Sequence, residues 1–465
     1  MSKRILFLVC LLITTVLAMS SCSRNASTPT RAQAIESTQP AATLVSTRGQ
    51  TTASAQPPAP TATSEDQLEP TIHVQPESAL ADEMVKIQVV GLEPGQTITL
   101  TASVRDDVGR KWESYAAFTA GAEGLVDLTT QAPITGTYDA VDPMGLLWSM
   151  VPDIPGSEYP YFANWETHLV VVTIVAEIEE HEIGPAYLRR IRLPEAIDRT
   201  TLSANEHGLV GDFFAPSGPG PYPTLLVLGG SGGGVDTRKA ALLAAHGYAT
   251  LALAYFGAPT LPDVLAEIPL EYFKTAIDWL QAQDIVDDNK IGVVGTSRGG
   301  ELALLLGATY PELKAVVGYV ASGVVFAGYT RNREDLRAAW TYEGAPLPYP
   351  TSENEIDEAT IPVERINGPI LLISGEDDQL WPSTELSEIA IARLQQYNHP
   401  YAYEHLVYQD AGHFISVPYW PTRGNFFTHP VSRVRYTAGG TPEGNAFASA
   451  HSWAHALAFL ERNFK

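Results

Sequence analysis

Ile291-Gly292-Val293-Val294-Gly295-Thr296-Ser297-Arg298-Gly299-Gly300-Glu301 runs without a break into Leu302-Ala303-Leu304-Leu305-Leu306, and this stretch decides the fold. Residues 291–294 form a short apolar run that reads as a buried strand, and Arg298–Thr309 reads as a helix. Between them stands G-x-S-x-G. The glycines at 295 and 299 leave room for a sharp turn that lifts the Ser297 hydroxyl to the sheet edge. The helix start supplies partial positive charge and the free N–H of Arg298, both suited to a developing oxyanion.

Moving outward, buried-looking strands at 225–228, 249–254, 315–319, 370–374 and 402–407 alternate with helical stretches at 238–246, 265–283 and 383–396. Strands buried on both faces and separated by helices predict a mostly parallel sheet wound on both sides, beginning near Phe213. With the serine turn in place, this is an α/β-hydrolase architecture over residues 200–465. Residues 324–365 break the alternation and read as a cap over the site or as a surface insertion.

The partners of Ser297 follow in the order acid then base. Gly375-Glu376-Asp377-Asp378 closes the strand at 370–374, the functional edge of a parallel sheet. Asp378 fits a G-x-x-D spacing and is preferred; Asp377 is the alternative. Gly412-His413 lies in the loop after the last strand, where a base can reach back to the serine. His405 falls inside a strand and His451 and His455 on the last helix, so these read as structural. After the strand at 225–228 comes Gly229-Gly230-Ser231-Gly232-Gly233-Gly234. No Lys-Ser or Lys-Thr follows as in a phosphate-binding P-loop, so the loop reads as the second half of an oxyanion hole, with Gly230 or Ser231 donating beside Arg298.

The N-terminal half has a different texture. From Thr71 to about Pro194, short alternating or β-rich runs (85–89, 98–102, 125–128, 169–178) are separated by Gly and Pro. They predict an antiparallel, all-β, immunoglobulin-like sandwich over residues 70–195. Residues 22–69 are rich in Ser, Thr, Ala, Gln and Pro and read as a disordered tether. Lys3 and Arg4 precede an apolar run from Ile5 to Leu17, too short to span a bilayer, so residues 1–21 read as a secretory signal. The small residues before Cys22 fit a bacterial lipoprotein signal, with Cys22 as the lipidated residue. The expectation is an exported protein anchored to a membrane of the cell envelope. Cys10 falls in the signal, so the mature chain keeps one of its 2 cysteines and forms no internal disulfide or thiolate metal site. The 465-residue chain carries a net charge of −24, which argues against nucleic acid as a partner.

Further runs point to a family. Trp112-Glu113-Ser114, Gly124-Leu125-Val126-Asp127-Leu128 and above all Val141-Asp142-Pro143-Met144-Gly145-Leu146-Leu147-Trp148-Ser149-Met150 stand in the first half. Gly208-Leu209-Val210-Gly211, Ala244-Ala245-His246-Gly247-Tyr248-Ala249-Thr250-Leu251-Ala252-Leu253-Ala254-Tyr255, Leu270-Glu271-Tyr272-Phe273, Trp381 and Gly412-His413-Phe414 follow in the second. Over most of residues 70–465 the chain resembles the acyl-CoA thioesterase / bile acid-CoA:amino acid N-acyltransferase (BAAT) family. The resemblance implies a Ser297, Asp378, His413 triad, an acyl thioester or ester as substrate, and no metal or organic cofactor. Members transferring acyl groups to glycine or taurine tend to use cysteine, so serine implies hydrolysis. Arg298 stands where relatives carry leucine or lysine, which implies a changed pocket contact. The other readings are an exported carboxylesterase, an N-acyltransferase, and a non-catalytic binding lipoprotein. The last would have no need of all three triad residues.

Overall fold

The computed structural model describes residues 69–153, 168–332, 335–422 and 426–465. The predicted signal, tether and Cys22 lie outside them.

Two sheets, one of three strands and one of seven, make up the first half. Alternation places Ile72, Val74, Ile87 and Val89 from the smaller sheet and Ile98, Leu100, Ala102 and Ile174 from the larger in one shared core. The expected strands appear, Leu169–Ile178 with its predicted bounds. Two features depart from expectation. Ser78–Leu80 pairs parallel to His181–Ile191, so the layer is not wholly antiparallel. The run 141–150 also contains a helical turn, Gly145–Trp148. Asp142 builds it, accepting from the Met144 N–H at 2.8 Å and from Trp148 Nε1 at 2.7 Å. A side chain at Gly145 would collide with the Tyr138 ring, which explains glycine there.

The second half is an eight-stranded sheet. Its order is Ile197–Leu202, Val210–Pro216, Ala249–Ala254, Tyr222–Leu228, Val286–Thr296, Leu313–Tyr319, Ile370–Gly375, Tyr403–Tyr408. The first two pairings are antiparallel and the rest parallel. Ile197–Leu202 begins the sheet earlier than the change of pattern near Phe213 suggests. It is an edge strand with an exposed, polar middle, so it lacks the apolar signature of its neighbours.

Alternation sorts the central strands between two helical layers. Leu226, Leu228, Val293 and Leu372 share a core with the helices Leu270–Gln281 and Arg298–Thr309. Leu225, Val227, Val294 and Leu371 pack on the opposite face with Thr237–Ala245 and Pro442–Asn463. Each such fully buried aliphatic side chain contributes roughly 1.5–3 kcal/mol. Residues 324–365 are not a loose surface insertion, because Trp340, Ile361 and Val363 enter the first of these cores.

The halves are joined by polar and apolar contacts. Asp82 Oδ2 lies 2.6 Å from His246 Nε2 and accepts from Trp453 Nε1 at 2.7 Å. Ala446, Tyr419 and Trp420 pack into the sandwich core, and the Thr422 N–H donates to the Trp148 carbonyl at 2.9 Å. The helical turn Gly145–Trp148 therefore seats on the stretch that follows His413.

Candidate active site

Ser297 is held in a strained backbone conformation. It sits between strand and helix at φ 59°, ψ −121°, a region that costs a non-glycine residue about 1–3 kcal/mol. The turn closes only on bare backbone. A Cβ at Gly295 would lie 1.9 Å from the Gly299 carbonyl oxygen, and one at Gly299 would lie 2.3 Å from that of Gly229. The Ser297 N–H donates to the Tyr319 carbonyl at 2.8 Å, tying the turn to the next strand.

Ser297 Oγ is 2.9 Å from His413 Nε2, and His413 Nδ1 is 2.8 Å from Asp378 Oδ2. Asp378 Oδ1 accepts from the N–H groups of Leu380 and Trp381, so the carboxylate is fixed at both oxygens. Asp377 turns away and accepts from the Gly440 N–H at 2.7 Å, which separates the two aspartates that sequence left as alternatives. His413 is 8% exposed, and its own N–H donates to the Ala438 carbonyl. Gly230 lies against the serine: a Cβ there would be 3.2 Å from Ser297 Cβ and 3.7 Å from Oγ. Among the described residues no backbone acceptor outside the helices and strands meets the N–H of Arg298, Gly230 or Ser231.

This geometry can be set beside known proteins. Residues 268–465 match the family described as "BAAT / Acyl-CoA thioester hydrolase C terminal", and residues 82–204 match "Acyl-CoA thioester hydrolase/BAAT N-terminal region". Mouse "Acyl-coenzyme A amino acid N-acyltransferase 1" is 31% identical over 414 residues, covering 83% of this chain and 96% of that protein. The chain belongs to the acyl-CoA thioester hydrolase/BAAT family. Human "Acyl-coenzyme A thioesterase 1" is 29% identical over 402 residues, covering 82% of this chain and 94% of the relative. A dienelactone hydrolase-like promiscuous phosphotriesterase from metagenomic libraries covers 58% of this chain at 21% identity, with a TM-score of 0.40. This family member is an enzyme of the thioesterase/hydrolase type.

Beneath the serine turn of this hydrolase lies a buried ionic cluster that sequence reasoning did not find. The resemblance implied a changed pocket contact at Arg298, whose side chain is buried. It pairs with Glu301 at 3.1 Å and donates to the Phe326 carbonyl at 3.0 Å. Glu301 also accepts from Trp340 Nε1 at 2.8 Å. Burial pushes the Glu301 carboxyl up to about 7, with Arg298 opposing. On the opposite side, buried Lys239 donates from Nζ to Thr296 Oγ1 at 2.6 Å, with Nζ 3.9 Å from the Tyr319 ring centroid. Burial lowers that ammonium to about 8.

Around the serine of this family member stand aromatic rings. Phe326 lies 5.7 Å from Trp381, and Trp381 lies 6.1 Å from His413. Residues 324–365 thus reach the site through Phe326. On the other side rings connect His413 to Phe414, then Phe427 at 5.3 Å, then His429 at 6.2 Å. Phe427 and His429 belong to the hairpin of Phe426–Thr428 and Arg435–Thr437 and its connecting loop. That hairpin was not singled out in the sequence. A cleft of about 820 Å³ opens beside it, lined by Gly232, Asp263, Arg331, Pro430 and Arg433 among others.

Proposed function

We propose that this chain hydrolyses acyl thioesters through an acyl-enzyme on Ser297. The observation that carries the reading is the unbroken chain of contacts from Ser297 Oγ through His413 to Asp378 Oδ2. Asp378 accepts a hydrogen bond from the Nδ1–H of His413, which keeps the proton on Nδ1 and leaves the Nε2 lone pair facing the serine. His413 takes the hydroxyl proton as Oγ bonds to the acyl carbon. The carbonyl oxygen gathers charge against the Arg298 N–H and the N–H of Gly230 or Ser231, at the positive end of the helix Arg298–Thr309. As the carbon–sulfur bond breaks, His413 returns the proton to the leaving sulfur. It then takes a proton from water, whose oxygen attacks the acyl-enzyme, and the acid leaves as Oγ regains its proton.

The rings of Phe326, Trp381, Phe414 and Phe427 suit an apolar acyl group. The cleft at Gly232 suits a polar, anionic leaving group, since Arg433 has no ion-pair partner among the described residues and Arg331 pairs with Asp263. The same reading assigns the first half an immunoglobulin-like sandwich that braces the region after His413. Export, with Cys22 lipidated and the enzyme at a membrane of the cell envelope, is part of the proposal and rests on residues 1–22 alone.

The test compares the full chain with Ser297→Ala on acyl-CoAs of several lengths, p-nitrophenyl esters, and acyl-CoA with glycine or taurine present. Free CoA, acid and amide are measured separately. We expect CoA release without amide, reduced about 10⁶-fold by the substitution. Amide formation would instead make the chain an N-acyltransferase, and ester cleavage with CoA thioesters untouched would make it an esterase.

A further inference from the structure

His429 is 1% exposed yet reaches the glycine-rich loop, with Nε2 lying 3.0 Å from Ser231 Oγ. The other ring nitrogen settles which group donates. The N–H groups of Val431 and Ser432 point at Nδ1, at 3.2 and 3.4 Å. An N–H donor needs a lone pair to meet, so Nδ1 of the neutral ring is bare and the proton sits on Nε2. Nε2 therefore donates and Ser231 Oγ accepts. The hydroxyl proton of Ser231 is left over, and no acceptor among the described residues meets it.

Ser231 follows Gly230, whose backbone abuts Ser297, so the spare proton belongs to the loop that faces the reacting carbonyl. The ring itself is held on several sides. Its centroid lies 4.2 Å from that of Tyr329, whose hydroxyl bonds Tyr436 at 2.6 Å and Ser432 at 3.1 Å. Gly232 packs toward Pro430 from the same loop, so hairpin and glycine-rich loop meet at two points.

We propose that His429 is a positioning residue that commits the Ser231 hydroxyl to donating, making it a side-chain donor to the acyl oxygen alongside the backbone N–H groups. The inference rests on the acyl-enzyme reading of Ser297. A hydroxyl free to act as donor to its histidine could not serve the oxyanion. One that accepts from the histidine has a proton to give, and gives it where charge develops. Removing a single oxyanion donor costs about 10²–10³-fold in kcat.

The experiment is a double-mutant cycle on the full chain, with Ser231→Ala, His429→Phe and the pair, assayed on one acyl-CoA. Circular dichroism and thermal midpoint verify folding. Ser231→Ala should lower kcat by about 10²-fold with KM little changed. His429→Phe should lower kcat similarly, and the double variant should be no worse than Ser231→Ala alone. An unaltered kcat in folded Ser231→Ala overturns the proposal. So does a further tenfold loss on adding His429→Phe to Ser231→Ala, because the histidine would then act through the hairpin and not through the hydroxyl. Full activity in Ser297→Ala would instead overturn the acyl-enzyme reading, so the two failures are told apart.

Discussion

The floor and the wall around Ser297 are built from different materials. The floor is backbone against backbone, with Gly295 against Gly299, and Gly299 against the Gly229 carbonyl, closer than a Cβ allows. A buried ion pair and a buried lysine back it. The wall is side chain against side chain: Phe326, Trp381, Phe414 and Phe427, all partly exposed, from four separate segments. A floor of this kind tolerates no change and fixes the chemistry. A wall of this kind can be repacked one ring at a time, so it is where substrate preference can vary while the reaction stays the same.

Four changes would break or sharpen that contrast. Gly299→Ala strikes the floor hardest, because a methyl 2.3 Å from the Gly229 oxygen must push the glycine-rich loop away. Soluble, folded protein should be largely lost, or kcat reduced by more than about 10³-fold if it survives; a normally active variant would refute the account of the turn. Glu301→Gln comes next, since its amide can turn a donor toward the Arg298 guanidinium where the carboxyl offers an acceptor oxygen, at a cost of about 1–3 kcal/mol in chemical denaturation. It also has a pH signature. The folded Glu301 carboxyl titrates near 7 against an ordinary 4.5, so the folded state holds its proton more tightly. The associated stability is fully present below about 4.5 and is lost as pH rises through 7. Thermal midpoints of the parent should fall across that window, and those of Glu301→Gln should fall less.

On the wall, Phe427→Ala should leave turnover of short acyl-CoAs near normal and shift relative kcat/KM among chain lengths by about tenfold or more, a single methylene being worth roughly 1–3 kcal/mol in an apolar pocket. The smallest effect belongs to Arg433→Glu in the cleft. It should raise KM for acyl-CoA a few-fold, more at low salt, and leave p-nitrophenyl esters unaffected, the partner charge being exposed. Equal change for both substrates would remove the cleft from the leaving-group path.

The same contrast explains what the sequence made legible. The floor is local. Strand, G-x-S-x-G and helix are contiguous, so Ser297 and the bounds of Arg298–Thr309 could be read directly, and Asp378 and His413 followed from their places after successive strands. The wall and the second tier are not local. His429 meets Ser231 across 198 positions, and no motif surrounds it in Phe426-Phe427-Thr428-His429-Pro430. Lys239 escaped for another reason: a lysine on an amphipathic helix ordinarily points to water, and only the packing of Thr237–Ala245 against the sheet turns this one inward. At Arg298 the resemblance pointed only to a changed pocket contact, and the ion pair with Glu301, one turn along the same helix, was not read from the sequence.

One carboxylate joins the two halves in a way that bears on how the molecule can be handled. Asp82 holds His246 and Trp453 at once, and the Tyr419–Trp420 stretch is seated in the sandwich core. A polypeptide trimmed to begin after the sandwich would therefore present Trp453, Trp420 and their apolar neighbours to water, directly beside the loop that leads to the hairpin. Such a fragment would keep Ser297, Asp378 and His413 in its sequence and still be prone to clumping. Proteolysis near residue 195 is accordingly a route to inactivation, and the smallest useful catalyst that can be cut from this chain is nearly all of it.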